Sequence, residues 1–72
     1  MRYAYEYKIF IRSNEANDLL YLDRLPETIR LMKINDSPDY DFVIKVKTRD
    51  IGGLVKKIMD ETKIQDVLFE EN

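Results

Sequence analysis

The sequence has no cysteine, no histidine and no tryptophan, and only two glycines and two prolines among 72 residues. Without cysteine there is no disulfide, no thiolate nucleophile and no sulfur ligand for zinc. Without histidine the imidazole bases and the commonest metal ligand are excluded too. Chemistry is left to carboxylates, lysine and tyrosine, and no cofactor is expected. The longest apolar runs are a few residues, far short of the ~20 needed to span a bilayer. The opening Met1-Arg2-Tyr3-Ala4-Tyr5-Glu6 lacks the apolar segment of a signal peptide. These absences predict a cytoplasmic chain with no membrane partner. Neither sign of charge dominates: 12 Lys and Arg stand against 14 Asp and Glu, a net charge of -2. Nothing global draws such a chain to nucleic acid, so direct DNA binding is not expected. What is present is 44% hydrophobic residues, enough for one core, and a chain this short makes one domain, residues 1–72.

From Tyr3 to Ile11 the sequence alternates, Tyr3, Tyr5, Tyr7, Ile9 and Ile11 against Ala4, Glu6, Lys8 and Phe10, which predicts a strand. Ser13 or Asn14 then offers a cap for a short helix carrying Ala16, Leu19, Leu20 and Leu22 and ending near Pro26. A second strand is predicted between Thr28 and Asn35, with Ile29 and Leu31 alternating with Arg30. Asp36-Ser37-Pro38-Asp39 is a turn, because its residues favour turns and the position before proline avoids helix. Phe42, Ile44 and Val46 alternate with Val43, Lys45 and Lys47 in a third strand. Thr48 or Asp50 can cap a second helix, in which Ile51, Leu54, Val55, Ile58, Met59 and Thr62 recur at helical spacing. Val67-Leu68-Phe69 is a last short strand running into a polar tail, Glu70-Glu71-Asn72.

The order β-α-β-β-α-β is that of the α+β ferredoxin-like fold, with both helices on one face of a four-stranded antiparallel sheet. The other face would carry some of Ala4, Phe10, Met32, Val43 and Leu68 beside Lys8, Lys45 and Lys47. That is too much apolar surface to leave in water, so a homodimer or higher homo-oligomer is expected.

The second half carries a family resemblance. Asp39-Tyr40-Asp41-Phe42-Val43-Ile44-Lys45-Val46-Lys47-Thr48-Arg49-Asp50, followed by an amphipathic helix and a short strand, resembles the effector domain of Lrp/AsnC-type transcription regulators, the RAM domain. The sequence likeness runs from about Ser37 to Glu61, and Tyr40-Asp41 is its specific element. The resemblance implies a domain that dimerises through its sheets, assembles into rings and binds a free amino acid in clefts between subunits. It puts Asp39, Tyr40 and Asp41 at the effector site. Two departures stand out. Pro38-Asp39 occupies the turn where the family usually has Gly and one further residue, and Asp66-Val67-Leu68-Phe69-Glu70 replaces a Thr-rich final strand. With no helix-turn-helix portion in the sequence, the resemblance implies a stand-alone module acting through a full-length Lrp/AsnC-type regulator. A weaker likeness links Arg49-Asp50-Ile51-Gly52-Gly53-Leu54 to the strand-to-helix turn of ACT domains, which also bind amino acids, although there the turn follows the first strand.

Each motif also has a plainer reading. Gly52 and Gly53 in a first helical turn can bare backbone amides toward a carboxylate, or can simply allow close packing. Asp39 and Asp41 can receive an ammonium group beside Tyr40, or can be ordinary turn residues. Tyr3, Tyr5 and Tyr7 would stack on RNA bases if they lay on the open face, but their stripe continues into Ile9 and Ile11, which belong in a core. An acylphosphatase-like hydrolase has the same element order, yet its Arg-containing glycine loop and partner Asn are not recognisable here. The expectation is a non-enzymatic, amino-acid-binding and oligomerisation module in transcription regulation. Asp41 would hold the ammonium group, Tyr40 would wall the pocket, and Gly52-Gly53 or a nearby cation would meet the carboxylate. The alternative is a structural or RNA-binding accessory protein.

Overall fold

Alternation of β-branched and aromatic residues builds the centre of the molecule. In a computed structural model describing residues 3–72, β1 (Tyr5–Ile11) and β3 (Phe42–Thr48) pair antiparallel with Ile9 opposite Ile44 and Ile11 opposite Phe42. Strand β2 (Thr28–Lys33) flanks β3, and β4 (Val67–Glu71) flanks β1, giving the order β2-β3-β1-β4. Helices α1 (Ala16–Arg24) and α2 (Ile51–Glu61) complete the β-α-β-β-α-β order of a ferredoxin-like fold. Met1 and Arg2, the start of the segment read above for a signal peptide, lie outside the described residues.

Period two on the strands and period 3.6 on the helices meet in one core. Ile9, Ile11, Ile44 and Val46 from the two central strands are fully buried against Leu22, Leu25, Leu54, Ile58 and Ile64. Each such side chain contributes roughly 1.5–3 kcal/mol by leaving water. The tyrosines of the same stripe extend past this core. Tyr7 packs on it and meets Phe69 edge to face at 6.2 Å, whereas Tyr5 is 51% exposed.

Helix ends follow local chemistry. The Asp50 carboxylate caps α2 by accepting from the Gly53 amide at 3.0 Å, and the Thr48 hydroxyl accepts from the Asp50 amide at 3.1 Å. At the other end the Thr62 hydroxyl donates to the Ile58 carbonyl at 2.6 Å. Thr28 similarly donates to the Leu22 carbonyl at 2.7 Å where α1 ends.

Four expectations change. The first strand begins at Tyr5 rather than Tyr3. Neither Ser13 nor Asn14 caps α1: Glu15 holds that position without a side-chain bond, because the Ser13 hydroxyl is spent on the Glu15 amide at 3.2 Å. Ile29 does not share a buried face with Leu31, since a register shift between Thr28 and Arg30 leaves it 54% exposed; an extra residue in one strand breaks the alternation at that point. Finally, Glu70 and Glu71 are part of β4, with Glu70 opposite Lys8.

Among the described residues no helix is long and apolar enough to cross a membrane, and no cluster of acidic side chains is arranged to hold a metal ion.

Candidate functional site

The helix-free side of the sheet carries two kinds of surface. Toward one end are Lys8, Lys45 and Lys47 with Glu6 and Glu70; Lys45 Nζ lies 3.5 Å from Glu6 Oε1 across the β1–β3 ladder. Toward the other end Phe10, Met32, Val43 and Leu68 adjoin one another, Phe10 being paired with both Val43 and Leu68 and Met32 with Val43. The apolar end is where the β2–β3 loop returns.

That loop is tied down at its base. The Ile34 amide donates to the Asp41 carbonyl at 2.8 Å, and the Asp41 amide to the Ile11 carbonyl at 2.9 Å. The Ser37 hydroxyl accepts from the Asp39 and Tyr40 amides, both at 3.3 Å, in a turn that serine supplies by its own side chain. Asp41 braces the neighbouring connection: its Oδ2 accepts from the Ser13 amide at 3.1 Å. Arg12 adds a long bond to the Pro38 carbonyl at 3.5 Å. So held, the loop sets the Tyr40 ring 6.0 Å from that of Phe10.

Between loop and sheet lies a cleft of about 420 Å³. Phe10, Ile34, Tyr40 and Leu68 supply apolar walls, and Asp36, Asp39 and Glu70 supply carboxylates. No lysine or arginine lines it. Such a cleft suits a ligand that joins a positively charged group to an apolar portion, because the acids compensate the charge while the rings exclude water.

The five residues singled out in the sequence are distributed unevenly. Asp39 and Tyr40 line the cleft; Asp41 sits behind it, holding Ser13. Gly52 and Gly53 lie at the start of α2, beyond the far end of β3, whose seven residues extend roughly 20 Å. One small ligand therefore cannot reach both Asp41 and the glycines of the same chain, and only a site between subunits, as the family resemblance implies, could use both. The Gly53 amide is also already bonded to Asp50, and a Cβ at Gly53 would run into the Asp50 carboxylate. The glycine thus makes room for the cap. Phe10, Ile34, Asp36, Leu68 and Glu70 were not anticipated as lining; alternation places Phe10 and Leu68 on the open face, but only the β1–β4 register puts them side by side.

The aromatic stripe of β1 and the lysines lie on opposite sides of the sheet. Tyr5 and Tyr7 share the helix-covered side with Ile9, while Lys8, Lys45 and Lys47 are on the open side. The Tyr5–Tyr7 stripe therefore cannot serve as a base-stacking platform beside these lysines.

A second cleft, of about 440 Å³, lies on the helix side between Leu20, Tyr21, Leu25 and Pro26, with Arg24 and Lys57 at its rim. The Tyr21 hydroxyl is buried there without a hydrogen-bond partner. Burial raises its pKa above the usual 10.0, and the carboxylates of Glu61 and Glu27 push it further in the same direction.

No family model matches this chain, and no curated protein does. Among solved structures, the crystal structure of an AsnC family transcriptional regulator from Agrobacterium tumefaciens aligns with a TM-score of 0.70 at 20% identity, over 99% of this chain and 50% of that one. The chain spans about half the length of that regulator, and what the two share is the ferredoxin-like fold.

Proposed function

We propose that this chain is a non-catalytic effector-binding and oligomerisation module of the Lrp/AsnC type, which works in the cytoplasm and influences transcription through a partner regulator. The observation that carries the reading is the cleft beneath the Asp39-Tyr40 loop, apolar in its walls and acidic at its rim. In this reading an amino acid places its ammonium group near Asp39 and Asp36 and its side chain against Phe10 and Tyr40. Asp41 acts as a positioning residue that keeps the loop in place through Ser13. The ligand's carboxylate is left for a cation or backbone amides of a second copy, including those near Gly52, which suits a site completed by assembly. Two further facts support the reading: alignment of almost the whole chain on half of an AsnC family regulator, and an open sheet face with Phe10, Met32, Val43 and Leu68 side by side. A ligand that binds only the assembled form shifts the assembly equilibrium by mass action.

The test is a thermal-unfolding panel with each of the twenty amino acids at about 5 mM. A ligand at ~100 times its dissociation constant adds about 2.7 kcal/mol, which moves the midpoint of so small a domain by more than ten degrees. The expected outcome is a selective shift that Asp39→Ala abolishes and Lys57→Ala, in the other cleft, leaves intact. A flat panel would remove the effector half of the proposal.

A further inference from the structure

The sheet has two free edges of opposite character. Strand β2 carries Arg30 and Lys33 with no acid, and β4 carries Glu70 and Glu71 with no base. Arg30 stands opposite Lys45 within its own sheet, a like-charged neighbour. Both edges also leave large apolar side chains in water: Met32 is 38% exposed, Leu68 49% and Phe69 43%.

The hydrogen-bond phase of each edge follows from its inner partner. The bond from the Ile34 amide to the Asp41 carbonyl turns the even-numbered residues of β2 toward β3, so the backbone groups of Leu31 and Lys33 point outward. On β4 the bonds from Arg12 to Asp66 and from Asn72 to Glu6 turn the even-numbered residues toward β1, leaving Val67, Phe69 and Glu71 outward. Each strand of the sheet is antiparallel to its neighbour, so β2 and β4 also run in opposite directions.

We propose that β2 of one copy pairs antiparallel with β4 of another in the register that sets Arg30 opposite Glu70. This rests on the self-assembly half of the function proposed above and specifies how it is built. In that register Leu31 meets Phe69 and Lys33 meets Val67 through outward backbone groups, on the helix side. Arg30–Glu70 and Met32–Leu68 are the intervening pairs, on the open side, where opposed side chains come closest. A slip of two residues either way sets Arg30 against Leu68 or Met32 against Glu70, so the charge pair is lost. The partner is thus a second copy of this chain, which offers the complementary edge.

The absence of cysteine makes the test clean. Met32→Cys and Leu68→Cys chains are prepared separately, mixed and oxidised. A non-hydrogen-bonded antiparallel pair brings Cα atoms to about 4.5 Å, inside the range a disulfide accepts. Within one chain the two positions are three strand spacings apart, roughly 14 Å, so any bond between them joins two copies. The expected result is a crosslink in the mixture and none in either variant alone. As a second measurement, Arg30→Glu should weaken self-association roughly tenfold, and adding Glu70→Arg should restore it. Association without the crosslink and indifferent to Arg30→Glu overturns edge pairing while leaving the proposed function standing. A chain that stays monomeric at every concentration overturns edge pairing together with the oligomerisation half, whereas a flat amino-acid panel touches only the effector half.

Discussion

Asp50 and the two glycines after it show how much a single side chain determines locally. Asp50 satisfies the Gly53 amide at the start of α2, and Asp50→Ala is predicted to lower stability by about 1 kcal/mol, read from urea unfolding midpoints. Gly52 is unconstrained: a Cβ there would meet nothing nearer than Asp50 Oδ1 at 3.8 Å. Gly52→Ala should therefore stabilise the protein by roughly 0.5–1 kcal/mol through lost freedom of the unfolded chain. Gly53→Ala should gain nothing net, because its Cβ displaces the capping carboxylate. A stabilisation by Gly53→Ala equal to that by Gly52→Ala would show that the cap carries no energy. The cap was legible in Thr48 and Asp50; that Gly53 serves it was not, because the side-chain direction of Asp50 belongs to three dimensions.

At the scale of elements, the central strands carry the fold and the edge strand tolerates irregularity. Ile44 is fully buried in β3, and Ile44→Ala is predicted to cost about 2–5 kcal/mol, much of the stability of a domain this size. Ile29, extruded at the irregularity of β2, should accept Ser within about 0.5 kcal/mol. Circular dichroism during urea unfolding would separate the two. Tyr21 reports on how α1 sits beside Glu61 of α2 and Glu27. Its pKa is raised in the folded state, so below pH 10 both states hold the proton and stability is unaffected. Above pH 10 the unfolded tyrosine ionises first, the folded state retains its proton, and stability falls as pH rises. Tyr21→Phe should show a smaller loss between pH 9 and 11; an identical loss would mean the hydroxyl does not feel those carboxylates. Periodicity made β1, β3 and α2 readable, whereas the irregularity at Ile29 and the extension of β4 through Glu70 and Glu71 depend on pairing with β3 and β1.

For the whole molecule, the consequential feature is a sheet covered on one side only. Val43 lies between Phe10 and Met32 on the open side, away from the buried core. Val43→Asp is accordingly predicted to leave the domain folded, with a single cooperative transition in urea unfolding. Loss of that transition would mean instead that Val43 is needed by the core. The cleft belongs to the same scale, since Phe10, Asp39, Tyr40 and Glu70 come from β1, the β2–β3 loop and β4.

The sequence alone was enough for the element order, the alternation of β1 and β3, the turn at Ser37 and a cap at Thr48 or Asp50. These depend on spacing along the chain and on backbone preferences that act over a few residues. Tertiary structure alone decided that Asp39 and Tyr40 share a cleft with Phe10 and Glu70, that Asp41 instead braces Ser13, and that Gly52 and Gly53 lie at the far end of β3. Which side chains meet across a sheet is set by strand order and register, and a shift of one residue would have turned every one of them to the other face.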